Sequence, residues 1–266
     1  MLECFAVTAP GLEAVTAAEL AALGLVPTGM EEGGVSFTAD LSGLYLANLQ
    51  LRTASRVLVR LATFEGRGFP ELERHARKVP WQDFLGPGVR AAFRVTSKKS
   101  KLYHAGAIEE RVAGTVGRSE GQTGGVDQEF VVRVFRDRFT ISADSSGALL
   151  HQRGYRLATA KAPLRETLAA AMLLGAGWDP RTPLVDPFCG SGTIPIEAAL
   201  LARRIPPGRH RSFAFMRWPG FDAASWQALL ARADAESLPQ ASAPIVGADR
   251  DAGAIRASVA NAERAG

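Results

Sequence analysis

The amino-acid sequence predicts a protein of mixed α/β class in two regions that arrange their elements differently. Up to about residue 156, short apolar strands alternate with runs of helical periodicity, which is typical of an α+β domain. From residue 160, a strand, a glycine-containing turn and a helix follow one another directly, which is typical of a parallel sheet. The chain has 266 residues, a length that suits one small and one larger unit.

In the first region, strands are predicted where residues are continuously apolar or alternate, and helices where apolar residues recur three and four apart. Strands are expected at residues 2–7, 33–38, 56–61, 89–96, 130–135 and 138–143, and helices at residues 12–23, 41–49, 72–79 and 105–116. Arg136 and Asp137 form the turn between the last two strands. We expect a glycine-rich turn at residues 120–127 and a domain boundary at residues 157–161.

In the second region, the same criteria predict fewer strands. Helices are expected at residues 164–174, 194–204 and 252–265, and strands at residues 183–186 and 244–249, the first of them buried. Residues 205–240 have the composition of an insertion that contains a helix at 225–235.

Composition is that of an ordinary soluble globular protein, because 47% of the residues are hydrophobic and 22% are charged. No stretch approaches about eighteen uncharged apolar residues, and Glu3 stands where a secretory signal would carry a base. The two cysteines and four histidines show no ligand-like spacing. We therefore expect a cytoplasmic protein that binds neither a metal nor a membrane.

Charge is distributed unevenly along the chain. Residues 1–50 contain six acidic residues and no Lys or Arg, whereas residues 51–160 contain 19 basic and 11 acidic residues. This asymmetry indicates either two solvated surfaces of opposite sign or a basic face for a polyanion, usually nucleic acid. The densest basic residues lie after one predicted strand and along the pair that follows it: Lys98, Lys99, Lys101, Arg133, Arg136 and Arg138. Each alone would be an ordinary solvated charge, but as a group they favour polyanion binding.

The strand ending at Asp186 leads into a turn with Gly190 and Gly192, and a helix opens at Thr193. Glycines allow close backbone approach, and a helix start presents unpaired N–H groups, so this arrangement predicts a nucleotide or cofactor cradle.

Three common cradles of this kind do not match. A phosphate-binding P-loop needs Lys where Thr193 stands, the dinucleotide fingerprint needs Gly or Ala at Pro195, and the hydrolase elbow needs Gly at Cys189. The remaining interpretation is the S-adenosylmethionine loop of a methyltransferase.

Asp249 closes the second strand, where a carboxylate can accept both ribose hydroxyls of an adenosine. It lies 59 residues after Gly190 instead of the usual ~20, and the insertion accounts for the excess. Helix N-capping is the alternative for both Asp249 and Asp251. Asp186 either orients the loop, meets the methionine amino group or has a packing role alone. Cys189 is interpreted as a packing residue rather than a nucleophile, because no base lies near it in sequence.

An ordered set of motifs resembles the THUMP-domain RNA methyltransferases that form N2-methylguanosine. The matching segments are residues 8–13 (TAPGLE), 48–57 (NLQLRTASRV), 144–147 (DSSG), 151–156 (HQRGYR), 162–171 (APLRETLAAA) and 186–193 (DPFCGSGT).

The resemblance implies three parts: a ferredoxin-like segment at residues 1–43, a THUMP RNA-binding domain at 44–156, and the N-terminal part of a Rossmann-like class I methyltransferase domain at 160–266. It implies 23S ribosomal RNA guanine as the substrate, with tRNA guanine second. The implied S-adenosylmethionine site comprises Asp186, Pro187, Phe188, Cys189, Gly190, Gly192, Thr193 and Asp249.

One departure from the family pattern concerns catalysis. The family's Asn/Asp-Pro-Pro-Tyr motif, which holds the exocyclic amino group in line with the methyl donor, does not occur in this sequence. We therefore expect a truncated form of a longer enzyme, inactive alone and without catalytic residues of its own. The alternatives are a non-catalytic RNA-binding module and a methylase for adenine in DNA.

Overall fold

The computed structural model describes residues 1–117, 126–157 and 164–266. The expected glycine-rich turn and the expected domain boundary therefore fall largely outside the described residues. The described strands form one seven-stranded sheet and one two-stranded sheet. The larger sheet contains strands from both the segment 1–43 and the segment 44–156, so these two predicted parts share one sheet.

The elements follow the sequence predictions closely, with bounds shifted by a few residues. In chain order they are β1 Leu2–Val7, α1 Glu13–Ala22, β2 Pro27–Glu31, β3 Gly34–Ala39, α2 Leu41–Gln50, β4 Arg56–Glu65, α3 Phe69–Ala76, β5 Val89–Lys98, α4 Ala105–Ala113, β6 Val126–Phe135, β7 Arg138–Asp144, α5 Glu166–Gly175, β8 Leu184–Asp186, α6 Thr193–Ala202, α7 Ala223–Glu236, β9 Ile245–Gly247 and α8 Ala252–Ala265. The strand β2 was not predicted, because its sequence contains Pro27 and Gly29 and lacks alternation; such residues are tolerated in an edge strand.

The seven-stranded sheet has the order β2-β3-β1-β4-β7-β6-β5, antiparallel except for the parallel pair β5 and β6. One face is apolar and buried. The helices α1 to α4 contribute Leu20, Leu44, Leu72 and Ile108 to the same core as strand residues Val59, Val132 and Ile141. The opposite face carries polar side chains in register, with Arg60 opposite Ser142 and Arg133 opposite Thr140.

The predicted insertion at residues 205–240 packs against the first region. Phe215 is fully buried and stacks on Tyr45 of α2 with ring centroids 4.5 Å apart. The Trp218 indole N–H donates to Gln128 Oε1 of β6 at 2.8 Å. Trp226 of α7 belongs to the same core. This segment therefore supplies aromatic residues to the core of the N-terminal sheet.

A buried ion pair joins the two regions at the segment before α5. Arg153 lies 3.4 Å from Glu197 of α6, and both side chains are almost completely buried. The Arg153 guanidinium also donates to the Arg52 carbonyl at 2.7 Å, and the Tyr155 hydroxyl donates to Glu197 at 3.1 Å. Burying a charge costs several kcal/mol of desolvation. The ion pair and these hydrogen bonds together compensate that cost for Arg153 and Glu197.

The smaller sheet consists of β8 and β9 paired in parallel. The prediction that the first of these strands is buried is wrong, because Val185 is 66% exposed and Val246 is 48% exposed. Packing by α6 covers one side of this pair, and the other side is open in the described chain.

The described helices are short. The longest, α7 and α8, have 14 residues each, whereas a membrane-spanning helix needs about 20 apolar residues. In the three described ranges, no helix is long and apolar enough to cross a membrane.

Candidate cofactor loop and nucleic-acid interface

The loop between β8 and α6 has a backbone that requires glycine at two positions. Gly190 has φ 53° and Gly192 has φ 84°, values in the left-handed region that other residues rarely adopt. Apart from its two chain neighbours, no described residue has an atom within 4 Å of the place where a Cβ on Gly190 would stand, so this glycine faces open space. A Cβ on Gly192 would overlap the Ser258 hydroxyl of α8. Gly190 thus leaves room in front of the loop, and Gly192 lets the start of α6 pack against α8.

Asp249 holds the loop from the neighbouring strand. One of its carboxylate oxygens accepts from the Gly190 N–H at 3.0 Å and the other accepts from the Asp251 N–H at 2.9 Å. These backbone hydrogen bonds, from Asp251 first and then from Gly190, lower the pKa of Asp249. Asp186 lies on the same edge of the parallel pair and accepts from the Phe188 N–H at 3.0 Å. Two carboxylates therefore lie beside the loop.

The helix α8 is capped by Asp251 and not by Asp249. Asp251 is the N-cap of α8, and its side chain accepts from the N–H groups of Gly253 at 2.6 Å and Ala254 at 3.4 Å. Capping alone therefore does not explain the carboxylate of Asp249.

The other loop residues differ in exposure. Pro187 and Phe188 are exposed, Phe188 by 85%, whereas Cys189 and Thr193 are buried. Burial raises the pKa of the Cys189 thiol, and the nearby Asp186 carboxylate raises it further. A thiol with a raised pKa is a poor nucleophile at neutral pH. This geometry favours packing as the role of Cys189.

Arg156 is a residue of the site that sequence reasoning missed. Its guanidinium donates to Thr193 Oγ1 at 2.6 Å and to the Leu164 carbonyl at 2.7 Å, and lies 3.3 Å from Glu166. Arg156 thereby fixes the first residue of α6 to the start of α5. Two of the family motifs contained Arg156 and Glu166, but no spacing rule connects them.

Five of the six predicted RNA-contacting residues gather at one end of the larger sheet. The Arg136 N–H donates to the Lys98 carbonyl at 3.2 Å, and the Lys101 N–H donates to Asp137 Oδ1 at 2.7 Å. These bonds join the segment after β5 to the β6–β7 turn, where Arg136 and Asp137 both have positive φ, as expected of a hairpin turn. We call this end the basic tip: Lys98, Lys99, Lys101, Arg136 and Arg138.

The sixth residue, Arg133, lies farther along β6 in a groove on the open face of the sheet. The groove has a volume of about 560 Å³ and is also lined by Arg60, Glu31 and Arg138. Arg133 is not free in this groove, because its guanidinium lies 3.2 Å from the Glu31 carboxylate.

Metal ligands do not cluster in the described part of the chain. Within residues 1–117, 126–157 and 164–266, no group of three or more His, Cys, Asp or Glu side chains could hold a metal ion.

Three family models match consecutive parts of the chain. Residues 3–58 match the RlmL ferredoxin-like domain, residues 66–144 match the THUMP domain, and residues 153–266 match the RMKL-like methyltransferase domain. The predicted fold class, a ferredoxin-like and THUMP region followed by a methyltransferase domain, is confirmed. The bounds 1–43, 44–156 and 160–266 stay predictions.

Similar proteins align over the whole chain. A "Putative RNA methyltransferase" of Synechocystis sp. is 37% identical in an alignment of 270 positions that covers 98% of this chain and 70% of the relative. A "predicted N6-adenine-specific DNA methylase" from Listeria monocytogenes has 36% identity and a TM-score of 0.90, covering 99% of this chain and 72% of its own. A "putative methyltransferase complexed with SAH" has 31% identity and a TM-score of 0.91, covering 100% of this chain and 72% of its own.

Proposed function

Because the chain belongs to the family of THUMP-domain RNA methyltransferases, we propose that it serves methyl transfer from S-adenosylmethionine to N2 of guanine in structured RNA. The proposed RNA is 23S ribosomal RNA, with tRNA as the second candidate. The observation that carries the cofactor assignment is the loop at Gly190, which faces open space and is held by the ionised Asp249. The choice of guanine N2 rests on the ordered motifs of the sequence.

The residues around the loop fit an adenosine-containing cofactor. When bound, S-adenosylmethionine supplies a methyl group on a positively charged sulfur. Each Asp249 oxygen already accepts one backbone hydrogen bond and retains capacity for another, which suits two ribose hydroxyls. Asp186 on the same edge can accept from the methionine amino group. Phe188, which is exposed beside them, offers an apolar surface to the cofactor.

The basic tip would contact the RNA backbone. Its lysines and arginines are exposed, and phosphate contacts from such residues position an RNA without reading its sequence. A guanine whose amino group is to be methylated would leave its stack to reach the loop. The chain would thus bind both substrates, while the tetrapeptide that aligns the amino group is absent from its sequence. We therefore expect the 266-residue chain alone to be inactive.

Calorimetric titration with S-adenosylmethionine tests the cofactor site. We expect Asp249→Asn to weaken binding about tenfold or more, because a charged acceptor makes stronger hydrogen bonds than a neutral amide. Asp251→Asn is the matched control: it removes the same charge two residues away, and Asn is an equally good N-cap. Equal affinities of the two variants would contradict the assignment of Asp249.

A second experiment tests the substrate and the expected inactivity. The chain is incubated with S-adenosylmethionine and with 23S rRNA fragments, tRNA or DNA, and the nucleosides are analysed by mass spectrometry. We expect RNA binding without a methylated product. Formation of N2-methylguanosine would contradict the inactivity and support the guanine assignment, whereas N6-methyladenine in DNA would overturn the proposed substrate in favour of the activity that the name of the Listeria protein states.

A further inference from the structure

Glu31 occupies the groove on the open face of the larger sheet. One oxygen of its carboxylate pairs with Arg60, and the other lies 3.2 Å from the guanidinium of Arg133. Arg60 is held in place from two sides, by a 2.9 Å hydrogen bond to Ser36 and by the Phe5 ring 4.5 Å below its guanidinium. A single anionic group therefore bridges two positioned guanidinium groups inside a groove of about 560 Å³.

The hairpin that carries Glu31 belongs to the edge of the sheet. Glu31 is the last residue of β2, all of whose residues after Pro27 are exposed. The turn that follows is fixed by a hydrogen bond of 2.8 Å from the Gly33 N–H to Glu13. In the described residues, the Glu31 carboxylate makes ion pairs and side-chain hydrogen bonds with Arg60 and Arg133 alone. The carboxylate can therefore leave the groove by a local movement of an edge strand.

The rest of the groove has the chemistry of a single-stranded nucleic-acid site. Phe135 is 37% exposed and lies opposite Arg138 in the β6–β7 register. The guanidinium groups of Arg133 and Arg136 lie 5.8 and 5.2 Å from its ring. Sites that bind single strands without sequence preference combine aromatic rings for base stacking with basic groups for the backbone.

We propose that this groove binds a nucleotide of single-stranded RNA, and that the Glu31 carboxylate occupies the phosphate position until RNA arrives. The proposal rests on the proposed RNA-binding function and adds a second contact surface, continuous with the basic tip through Arg138. Guanidinium groups pair with carboxylate and phosphate oxygens through the same geometry. A phosphate must displace Glu31 to bind, and this displacement lowers the affinity of the groove for a strand that contacts the groove alone. In an RNA that also contacts the basic tip, the additional contacts offset this loss.

The test measures binding of a fluorescein-labelled, mixed-sequence RNA octamer to the whole chain by fluorescence anisotropy across a salt series. We expect Glu31→Gln to tighten binding about three- to tenfold, the effect of removing two competing surface ion pairs. The dependence on log salt should steepen by up to about 0.7, because the variant lacks the negative charge that opposes the phosphate, which is equivalent to neutralising one more phosphate on a single strand. Glu32→Gln is the matched control, because it removes the same charge from the adjacent residue, which makes no ion pair among the described residues. Adding Arg133→Gln to Glu31→Gln should abolish the gain.

Each outcome decides the proposal. Tighter binding in Glu31→Gln than in Glu32→Gln, lost again with Arg133→Gln, supports it, and equal binding in the two single variants overturns it. A Lys99→Glu, Lys101→Glu double variant separates the two ideas. If this double variant weakens binding while Glu31→Gln has no effect, the basic tip stands and the groove proposal fails. If neither the parent chain nor any variant binds RNA, both the basic tip and the groove proposal fail.

Discussion

The two regions of the molecule bury their apolar residues to different degrees. Residues 1–117 and 126–150 form one continuous core in which the helices α1 to α4 cover a seven-stranded sheet. Residues 164–266 contain a two-stranded sheet with exposed valines. The separate core cluster is small: Ile196, Leu200, Ile205 and Ala265 of this region pack with Tyr155. Its buried aromatic residues Phe213, Phe215, Trp218 and Trp226 instead belong to the core of the first region. The second region therefore depends on the first for much of its burial.

The strongest test of this dependence is Phe215→Ala. Truncating a fully buried aromatic residue costs about 3–5 kcal/mol of unfolding free energy, and Phe215 contacts Tyr45 of the other region. We expect one unfolding transition in urea, shifted for both regions, with hydrogen exchange accelerated in α2 as well as in α7. Phe188→Ala, at an exposed position, should change stability by less than about 0.5 kcal/mol. A destabilisation confined to residues 164–266 would break the comparison.

A smaller effect is expected for Glu197→Gln. The substitution leaves the buried charge of Arg153 without its ion-pair partner, although the guanidinium keeps its hydrogen bonds to the carbonyls of Leu150 and Arg52. We expect a loss of about 3 kcal/mol, measured by urea unfolding. Glu236→Gln removes an exposed pair with Arg232 and should change stability far less, because exposed ion pairs are screened by solvent. Equal costs for the two variants would show that the buried pair contributes no more than a surface pair.

The reactivities of the two cysteines compare the two regions without any substitution that changes stability. Burial raises the pKa of Cys4, in the closed core, to about 12, and also raises the pKa of Cys189, beside the open loop. Because thiolate is the reactive form, a raised pKa leaves little of it at pH 8, so both should react with iodoacetamide more slowly than a free thiol. Cys189 should react about ten times faster than Cys4, since local opening exposes it. Mass spectrometry measures the extent of alkylation of each cysteine over time. As a control, the two cysteines should react at equal rates in urea. A faster reaction of Cys4 than of Cys189 would contradict the view that the first region is the closed one.

Local features were predictable because they depend on neighbours in the chain. The β6–β7 turn at Arg136 and Asp137 was expected from its position between two strands, and the structure has positive φ at both residues. Asp251 as a helix cap followed from its place before a helical run, and the structure shows those bonds. The role of Gly190 and Gly192 in a loop between a strand and a helix was expected from the spacing of strand, turn and helix.

Contacts between distant residues were not predictable in the same way. No pattern connects Arg156 to Thr193, or Glu31 to Arg60 and Arg133, because these pairs lie 29 residues apart or more. The segment 205–240 has the composition of an insertion, and only its packing shows that Phe215 and Trp218 belong to another region's core.

The sequence by itself determined the order of the elements, the mixed α/β class, the position of the glycine loop and the basic character of residues 51–160, since periodicity, turn residues and charge are properties of short stretches. The tertiary structure alone decided which charges are paired. It placed the basic tip together from two separate segments and set Glu31 between two arginines. It also left Val185 of β8 exposed, because burial depends on what packs against a strand and not on the strand's own apolar residues.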